Sequence, residues 1–367
     1  MKVSIAQHGN EVRIVGSNGL DMFFRVSGIE LPREIDPSFA VWALLPLAMR
    51  SGSNVTIAAQ IDPEVEQNAH MLSRIWEIWA PHEFREVQIV GVGHPAYAAR
   101  SLGRTVTLFS GGIDSTQALL TKDRRAGDHA LTICGLDYKL ETDKGKFARL
   151  LRKTDPLLEE LGLPRIVIET NAGQHSRNLR LTHGFVLAAC TFLLRDLFDD
   201  AEIAADFTWE QDMVAFPWGT NHVTNRYFAG TGFALRTVGA ELSRTQKIAA
   251  ISARLPEPQT LSFCGDRQYR PDNCGRCAKC VRTKAMFIAT TGALPPIFVD
   301  NSLSESLIGA VDLSDRKERA FFAELFAEAR ERGRTDDIPG LARLMARGGV
   351  RTPRPWAVLS AALRRAS

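Results

Sequence analysis

The sequence predicts an α/β protein built on a doubly wound parallel sheet, with a smaller N-terminal α/β or α+β domain before it and a helical tail after it. Three observations predict this. Between residues 105 and 204 short apolar runs alternate with helical patterns, the rhythm of parallel strands joined by helical crossovers. The run Val106–Phe109 leads straight into Ser110-Gly111-Gly112-Ile113-Asp114-Ser115, a glycine turn placed between a strand and a helix. Four cysteines, Cys264, Cys274, Cys277 and Cys280, stand at C-x9-C-x2-C-x2-C spacing.

Length and composition set the bounds. With 367 residues, two domains or one enlarged domain are expected. Apolar content of 45% and charged content of 24% are those of an ordinary globular protein. A net charge of +3 gives no argument for nucleic acid as a partner. The longest apolar stretches, 39–49 and 184–194, are too short for a bilayer, and Met1-Lys2-Val3-Ser4 opens no signal peptide. A cytoplasmic protein without a membrane partner is therefore expected, and six cysteines there point to metal or buried thiols rather than disulfides.

In the first hundred residues, 3–5, 12–15 and 23–26 read as strands of a meander. Asp36-Pro37 and Asp62-Pro63 each place Asp at an N-cap and Pro at the first helical position, opening helices through Trp42 and up to about Trp79. Residues 54–59 and 87–90 read as further strands. His8, His70 and His82 are expected at the surface or in packing. Gly91-Val92-Gly93-His94-Pro95-Ala96 matches a dinucleotide fingerprint in letters only, since Pro95 and the small residues after it suit a linker. The N-terminal domain is placed at 1–100, with the boundary inside 91–103.

The central domain is placed at 104–290. Strands are expected at 105–109, 131–135, 165–169 and 201–204, with helices at 115–124, 143–161 and 183–198. Ligands of such sheets sit beyond the carboxyl ends of the strands. The loop Ser110–Ser115 lies at one such end, its amides pointing inward at a helix N-terminus where the dipole favours an anion, so it reads as a phosphate cradle. It lacks a Walker lysine. Asp114 in it either faces Mg²⁺, orients loop amides or complements the helix dipole. Cys134 and Cys190 read as buried fillers.

His183 opens an apolar helix and is open to either ligand contact or capping. Residues 206–232 are dense in aromatic, amide and imidazole groups, with Trp218, Gly219, Thr220, Asn221 and Arg226 among them. Flat rings and amides suit a planar heterocycle, so these five and His183 are the candidate substrate-binding residues. Ser243 with Gln246 forms a capping box. Arg244 and Lys247, one turn apart at that helix start, oppose the dipole and call for an anion, triphosphate being the candidate. The four cysteines match a closed tetrahedral zinc site, with iron–sulfur as the rival.

The loop and the cysteine quartet together resemble the 7-cyano-7-deazaguanine synthase family of PP-loop ATP pyrophosphatases. The resemblance runs over residues 104–290, through Ser110–Ser115, Lys247, Cys264, Cys274-Gly275-Arg276-Cys277-Ala278-Lys279-Cys280 and Arg282. It implies a five-stranded PP-loop (adenine nucleotide alpha hydrolase-like) domain with a structural Zn²⁺ knot at 264–280. It implies ATP bound by Ser110, Gly111, Gly112, Ile113, Asp114 and Ser115, with adenine at Ile133 and Gly135. Asp114, Lys247 and Arg244 become the catalytic candidates, with Mg²⁺ as counter-ion. The implied activity is an AMP-forming, C–N bond-forming ligase acting on the carboxylate of 7-carboxy-7-deazaguanine.

The chain departs from the family in three places. Leu136-Asp137-Tyr138-Lys139 replaces a tyrosine-glycine-glutamine stretch. Thr182-His183 replaces an arginine-asparagine pair, and Phe216-Pro217-Trp218 stands where a tyrosine-proline-aspartate segment is usual. With about 100 extra residues before the loop and 75 after the knot, it looks more like the deazaguanine-synthase-like proteins of bacterial antiphage systems of the CBASS and Qat kinds. That implies a protein amine as acceptor. Nitrile formation with ammonia, a PP-loop tRNA thiolase and a non-catalytic ATP-binding subunit stay open, as does a homodimer. The extension at 291–367 reads as helical, with Phe321, Phe322, Leu325 and Phe326 on one side of a helix over 314–332. It ends in six arginines and no acids from Gly340 on.

Overall fold

The computed structural model describes residues 1–97, 101–121, 124–176, 178–255 and 258–348. The arginine-rich end beyond residue 348 lies outside them. The chain divides into two compact units. One, here the sheet unit, comprises 1–110, 121–206 and 217–239. The other, the helical unit, comprises 111–120, 207–216 and 240 onwards.

The sheet unit holds eleven strands among the described residues: β1 Lys2–His8, β2 Glu11–Gly16, β3 Asp21–Ser27, β4 Val55–Ile57, β5 Ile89–Val90, β6 Thr105–Leu108, β7 His129–Cys134, β8 Arg165–Thr170, β9 Asp200–Ala204, β10 Ala229–Gly230 and β11 Phe233–Val238. They form one mixed sheet in the order β10-β11-β9-β6-β7-β8-β3-β2-β1-β4-β5. The strands β8, β7, β6, β9 and β11 are parallel throughout, and the order reverses between β6 and β9, as in a doubly wound sheet.

Two features of this sheet were not legible in the sequence. The fifth parallel strand, β11, follows residues 206–232, the segment dense in aromatic and amide groups. That segment itself contains the helices Trp209–Ala215 and His222–Asn225. The meander β1–β3 pairs with β8 through Phe24↔Thr170 to Ser27↔Val167. The first hundred residues thus continue the central sheet, and the contact division does not coincide with 91–103. No helix starts in Gly91–Ala96.

Alternation along β8 explains the two layers. Ile166 and Ile168 are buried on one face, in the core that holds the helices Phe39–Ser51, Pro63–Trp79 and Leu179–Phe192. Val167 points the other way, to Phe147 and Leu150 of the helix Lys144–Glu160. Trp42 meets Phe192 and Phe228 edge-on at 5.5 and 5.4 Å in the first of these layers.

Arg195 ties this layer together. It is 6% exposed. Its guanidinium lies 3.2 Å from Asp36 and 2.9 Å from Asp62, and it donates to the Thr231 carbonyl at 2.7 Å. Asp62 caps its helix by accepting from the Glu64 amide, as the Asp-Pro pair predicts, and also accepts from Thr231. Removing the cation leaves two buried carboxylates uncompensated. Arg195→Met is expected to lower the unfolding free energy by about 3–5 kcal/mol, read as a shift of the urea midpoint.

The helical unit contains the helices Ile113–Leu120, Trp209–Ala215, Arg244–Arg254, Ala278–Thr291, Glu305–Gly309, Arg316–Glu331 and Leu341–Arg347. Phe321, Phe322 and Leu325 of the helix Arg316–Glu331 are buried, so the apolar side expected there does pack. No helix among the described residues is long and apolar enough to cross a membrane.

Candidate functional site: the glycine loop and the cysteine knot

The loop turns at Gly111, whose φ of +75° favours glycine. The Thr116 amide then bonds the Gly112 carbonyl at 3.0 Å, and the helix begins at Ile113. That is two residues earlier than the expected 115–124, so Asp114 and Ser115 sit in the first turn. The helix ends at Leu120, where Arg254 donates to its carbonyl at 2.7 Å.

Arg244 and Lys247 converge on Asp114. Arg244 Nε lies 3.2 Å from Asp114 Oδ1 and its Nη2 contacts Oδ2; Lys247 Nζ lies 3.2 Å from Oδ1. Lys247 is 1% exposed. The capping box of Ser243 and Gln246 sets this helix start as predicted. The anion called for by the two cations is thus, within the chain itself, Asp114. Burial raises the Asp114 carboxyl, but Arg244 and then Lys247 outweigh it and hold it below its ordinary value. A depressed carboxyl contributes stability that is present above its unfolded pKa of about 3.9 and lost as pH falls through the lower folded value. The Asp114 carboxyl is therefore expected to stay ionised from pH 5 upward, and a carbon NMR signal of the labelled carboxyl that does not titrate between pH 5 and 8 checks this.

Arg282 joins the same cluster. It is 3% exposed and paired with Glu318. Burial, and then the like charge of Arg244, lower its pKa, while Glu318 raises it.

The four cysteine sulfurs lie within 4.8 Å of one another. Cys264–Cys277, Cys274–Cys280 and Cys264–Cys280 are each 3.9 Å apart. A tetrahedral ion with metal–sulfur bonds of about 2.3 Å sets its sulfurs about 3.8 Å apart, so the residues fit one such ion. The space between them is too small for a multi-iron cluster. Amides of Arg276 and Cys277 donate to Cys274 Sγ at 3.3 Å. Gly275 has φ +81°, and a Cβ there would meet the Asp300 carbonyl at 2.0 Å. Buried Lys284 gathers the carbonyls of Gly275, Asp300 and Ser302 beneath it.

The knot and the loop belong to one unit and are joined. The Ser262 amide donates to the Gly111 carbonyl at 2.7 Å. Fully buried Asn273 fixes the segment between them, accepting from the Phe263 amide and donating to the carbonyls of Leu261 and Ile297.

The other predicted residues lie in the sheet unit. Ile133 and Gly135 stand at the end of β7; Gly135 has φ +118° and lies against the Thr170 carbonyl. Cys134 is buried, and burial raises its thiol to about 11. Cys190 is likewise buried and raised, so both are inert fillers as expected.

His183 is not at a helix start: the helix begins at Leu179, and His183 Nδ1 donates to the Leu179 carbonyl at 2.8 Å. Its Nε2 lies 3.1 Å from the Thr220 hydroxyl. Thr220 and Trp218 Nε1 contact Asp206 Oδ2 at 2.8 and 2.9 Å. A Cβ at Gly184 would meet the Gly219 carbonyl at 2.2 Å, and one at Gly219 would meet His183 Nδ1 at 2.6 Å. Two glycines therefore let the loop seat on the helix. Asn221 is a buried N-cap for the next helix and donates to the Trp218 carbonyl at 3.0 Å, whereas Arg226 turns to Tyr227 and stands apart from the His183–Thr220–Asp206–Trp218 group. Asp206 was not singled out in the sequence.

Comparison with protein-family models, with curated proteins and with solved structures gives no match for this chain.

Proposed function

We propose that the chain is an ATP-dependent, AMP-forming ligase of the PP-loop pyrophosphatase type. On this reading it adenylates the carboxylate of a 7-deazaguanine, 7-carboxy-7-deazaguanine, and passes the acyl group to an amine, a protein amine of an antiphage system. The observation that carries the reading is one cluster. Asp114 of the glycine loop, Arg244, Lys247 and Arg282 gather in the same unit as a four-cysteine knot that is bonded to the loop.

The chemistry follows from the residues. A carboxylate is a poor electrophile. Its oxygen attacks the α-phosphorus, the bond to the β-phosphate oxygen breaks, and pyrophosphate leaves. The amine then attacks the acyl carbon, and AMP leaves with the bonding pair. Negative charge grows on the departing pyrophosphate, where Lys247 and Arg244 offer fixed positive charge in a low-dielectric site. Both Asp114 oxygens are engaged by those cations, so Mg²⁺ belongs with the ATP phosphates rather than with a cage built by the chain. Cys264, Cys274, Cys277 and Cys280 would hold Zn²⁺ as a structural ion, leaving it no open position for chemistry.

Hydroxylamine tests the reading, because it captures an acyl-adenylate without knowledge of the natural acceptor. With ATP, Mg²⁺ and 7-carboxy-7-deazaguanine, the protein should form the hydroxamate, detected by mass. ATP turnover without hydroxamate would reject the carboxylate as the activated group. Accumulation of nitrile from ammonia would point instead to an ordinary nitrile-forming synthase.

A further inference from the structure

The resemblance ends near residue 290, yet the helix Arg316–Glu331 reaches into the cation cluster. Glu318 pairs with Arg282. Phe321 lies under two cations at once: the Arg282 guanidinium is 4.1 Å from its ring centroid and that of Arg244 is 4.4 Å. Phe207 stacks on the same ring at 4.9 Å, with 18° between planes. Gln246, of the helix that bears Arg244 and Lys247, donates to Glu328 at 2.6 Å. The helix Arg316–Glu331 thus meets both cation-bearing helices of the cluster.

Three cations, Arg244, Lys247 and Arg282, are set against two carboxylates, Asp114 and Glu318, in a largely buried place. Like charges gather only where something offsets their repulsion. An aromatic face does part of this through its quadrupole. The pairing of Arg282 with Glu318 also leaves polar atoms over: Arg282 Nε and Glu318 Oε2 are buried without a hydrogen-bond partner. A buried guanidinium with an unused N–H, beside a second guanidinium, has the donor set of a clamp for a multiply charged phosphate chain.

We propose that the helix Arg316–Glu331 is part of the anion site, with Glu318 and Phe321 as positioning residues that hold Arg282 and Arg244 as a two-arginine clamp for pyrophosphate. The inference rests on the ATP-cleaving reading above. Phe321 fixes where the two guanidiniums lie, and Glu318 tempers their charge so that the product can leave.

Calorimetric titration of the zinc-loaded full chain with inorganic pyrophosphate tests this. Phe321→Leu keeps an apolar side chain but loses the ring. It should weaken pyrophosphate binding about tenfold, while zinc content and melting temperature stay near those of the unsubstituted protein. Phe321→Tyr should restore the affinity. Glu318→Gln keeps the shape but removes a negative charge, so it should tighten binding and steepen its salt dependence. In pyrophosphate–ATP exchange the KM for pyrophosphate should move in these same directions. Loss of affinity in both Phe321→Leu and Glu318→Gln would mean packing alone and overturn the clamp. So would unchanged binding in both. If the unsubstituted protein binds no pyrophosphate, the ATP-cleaving reading itself falls, and the clamp with it.

Discussion

Cys280→Ser should yield a protein without bound metal and with the helical unit unfolded. Cys280 is fully buried, and its sulfur lies 3.9 Å from both Cys264 and Cys274. It also sits in the first turn of the helix Ala278–Thr291, which carries Arg282 and the carbonyl-gathering Lys284. A structural four-ligand zinc contributes about 10–16 kcal/mol of apparent binding energy at neutral pH, and that energy is folding energy. Whole domains have a net stability of about 5–15 kcal/mol, so losing one thiolate is enough to tip the balance. Elemental analysis should find one zinc per unsubstituted chain and none in the variant. Limited proteolysis should cut the variant within 261–291. The damage should reach the glycine loop as well, because the Ser262 amide holds the Gly111 carbonyl. A variant that kept its metal and its protease resistance would show that the knot does not support this unit.

Lys247→Met is expected to leave the fold in place and remove most of the chemistry. Lys247 is buried and unbranched, so methionine fills nearly the same space. Asp114 keeps its contact with Arg244, so the buried carboxylate is not stranded. On the proposed reading, what disappears is a preorganised positive charge aimed at the charge developing on pyrophosphate. Deleting one such donor typically costs about 10²–10³ in kcat. Carboxylate-dependent pyrophosphate–ATP exchange should therefore fall by about that factor, with an unchanged melting temperature. A fall below tenfold would take Lys247 out of the reacting site and leave it as a structural partner of Asp114.

The sequence and the structure agree most closely where a residue's own chemistry sets local geometry. The Ser243–Gln246 capping box, the Asp62-Pro63 helix start and the four strands from Thr105 to Ala204 all stand as their patterns imply. Cysteine spacing was enough to bring four sulfurs together. Legibility failed where the decision is made at a distance. Nothing in Asp21–Ser27 announces that this strand pairs with β8, since a meander strand reads the same at any sheet edge. The strand β11 follows a loop rich in glycine and aromatics, so local propensity hid it. His183 was read as a helix opener because Asn178, in a left-handed conformation at φ 53°, is the true entry and carries no helical period to reveal it. The absence of a side chain at Gly184 admits the Gly219 carbonyl, a use that only the folded chain reveals. Phe321 and Glu318 look like ordinary members of a charged amphipathic helix, and only their contacts with Arg244 and Arg282 give them a part in the site.

The most direct test of the central claim is the fate of ATP itself. Phosphorus NMR of the zinc-loaded chain with ATP, Mg²⁺, 7-carboxy-7-deazaguanine and an amine should show AMP and pyrophosphate appearing one for one, and only when the carboxylate is present. Production of ADP and orthophosphate would mean that cleavage occurs between the β and γ phosphates, and that the glycine loop, Lys247 and Arg244 serve a different reaction.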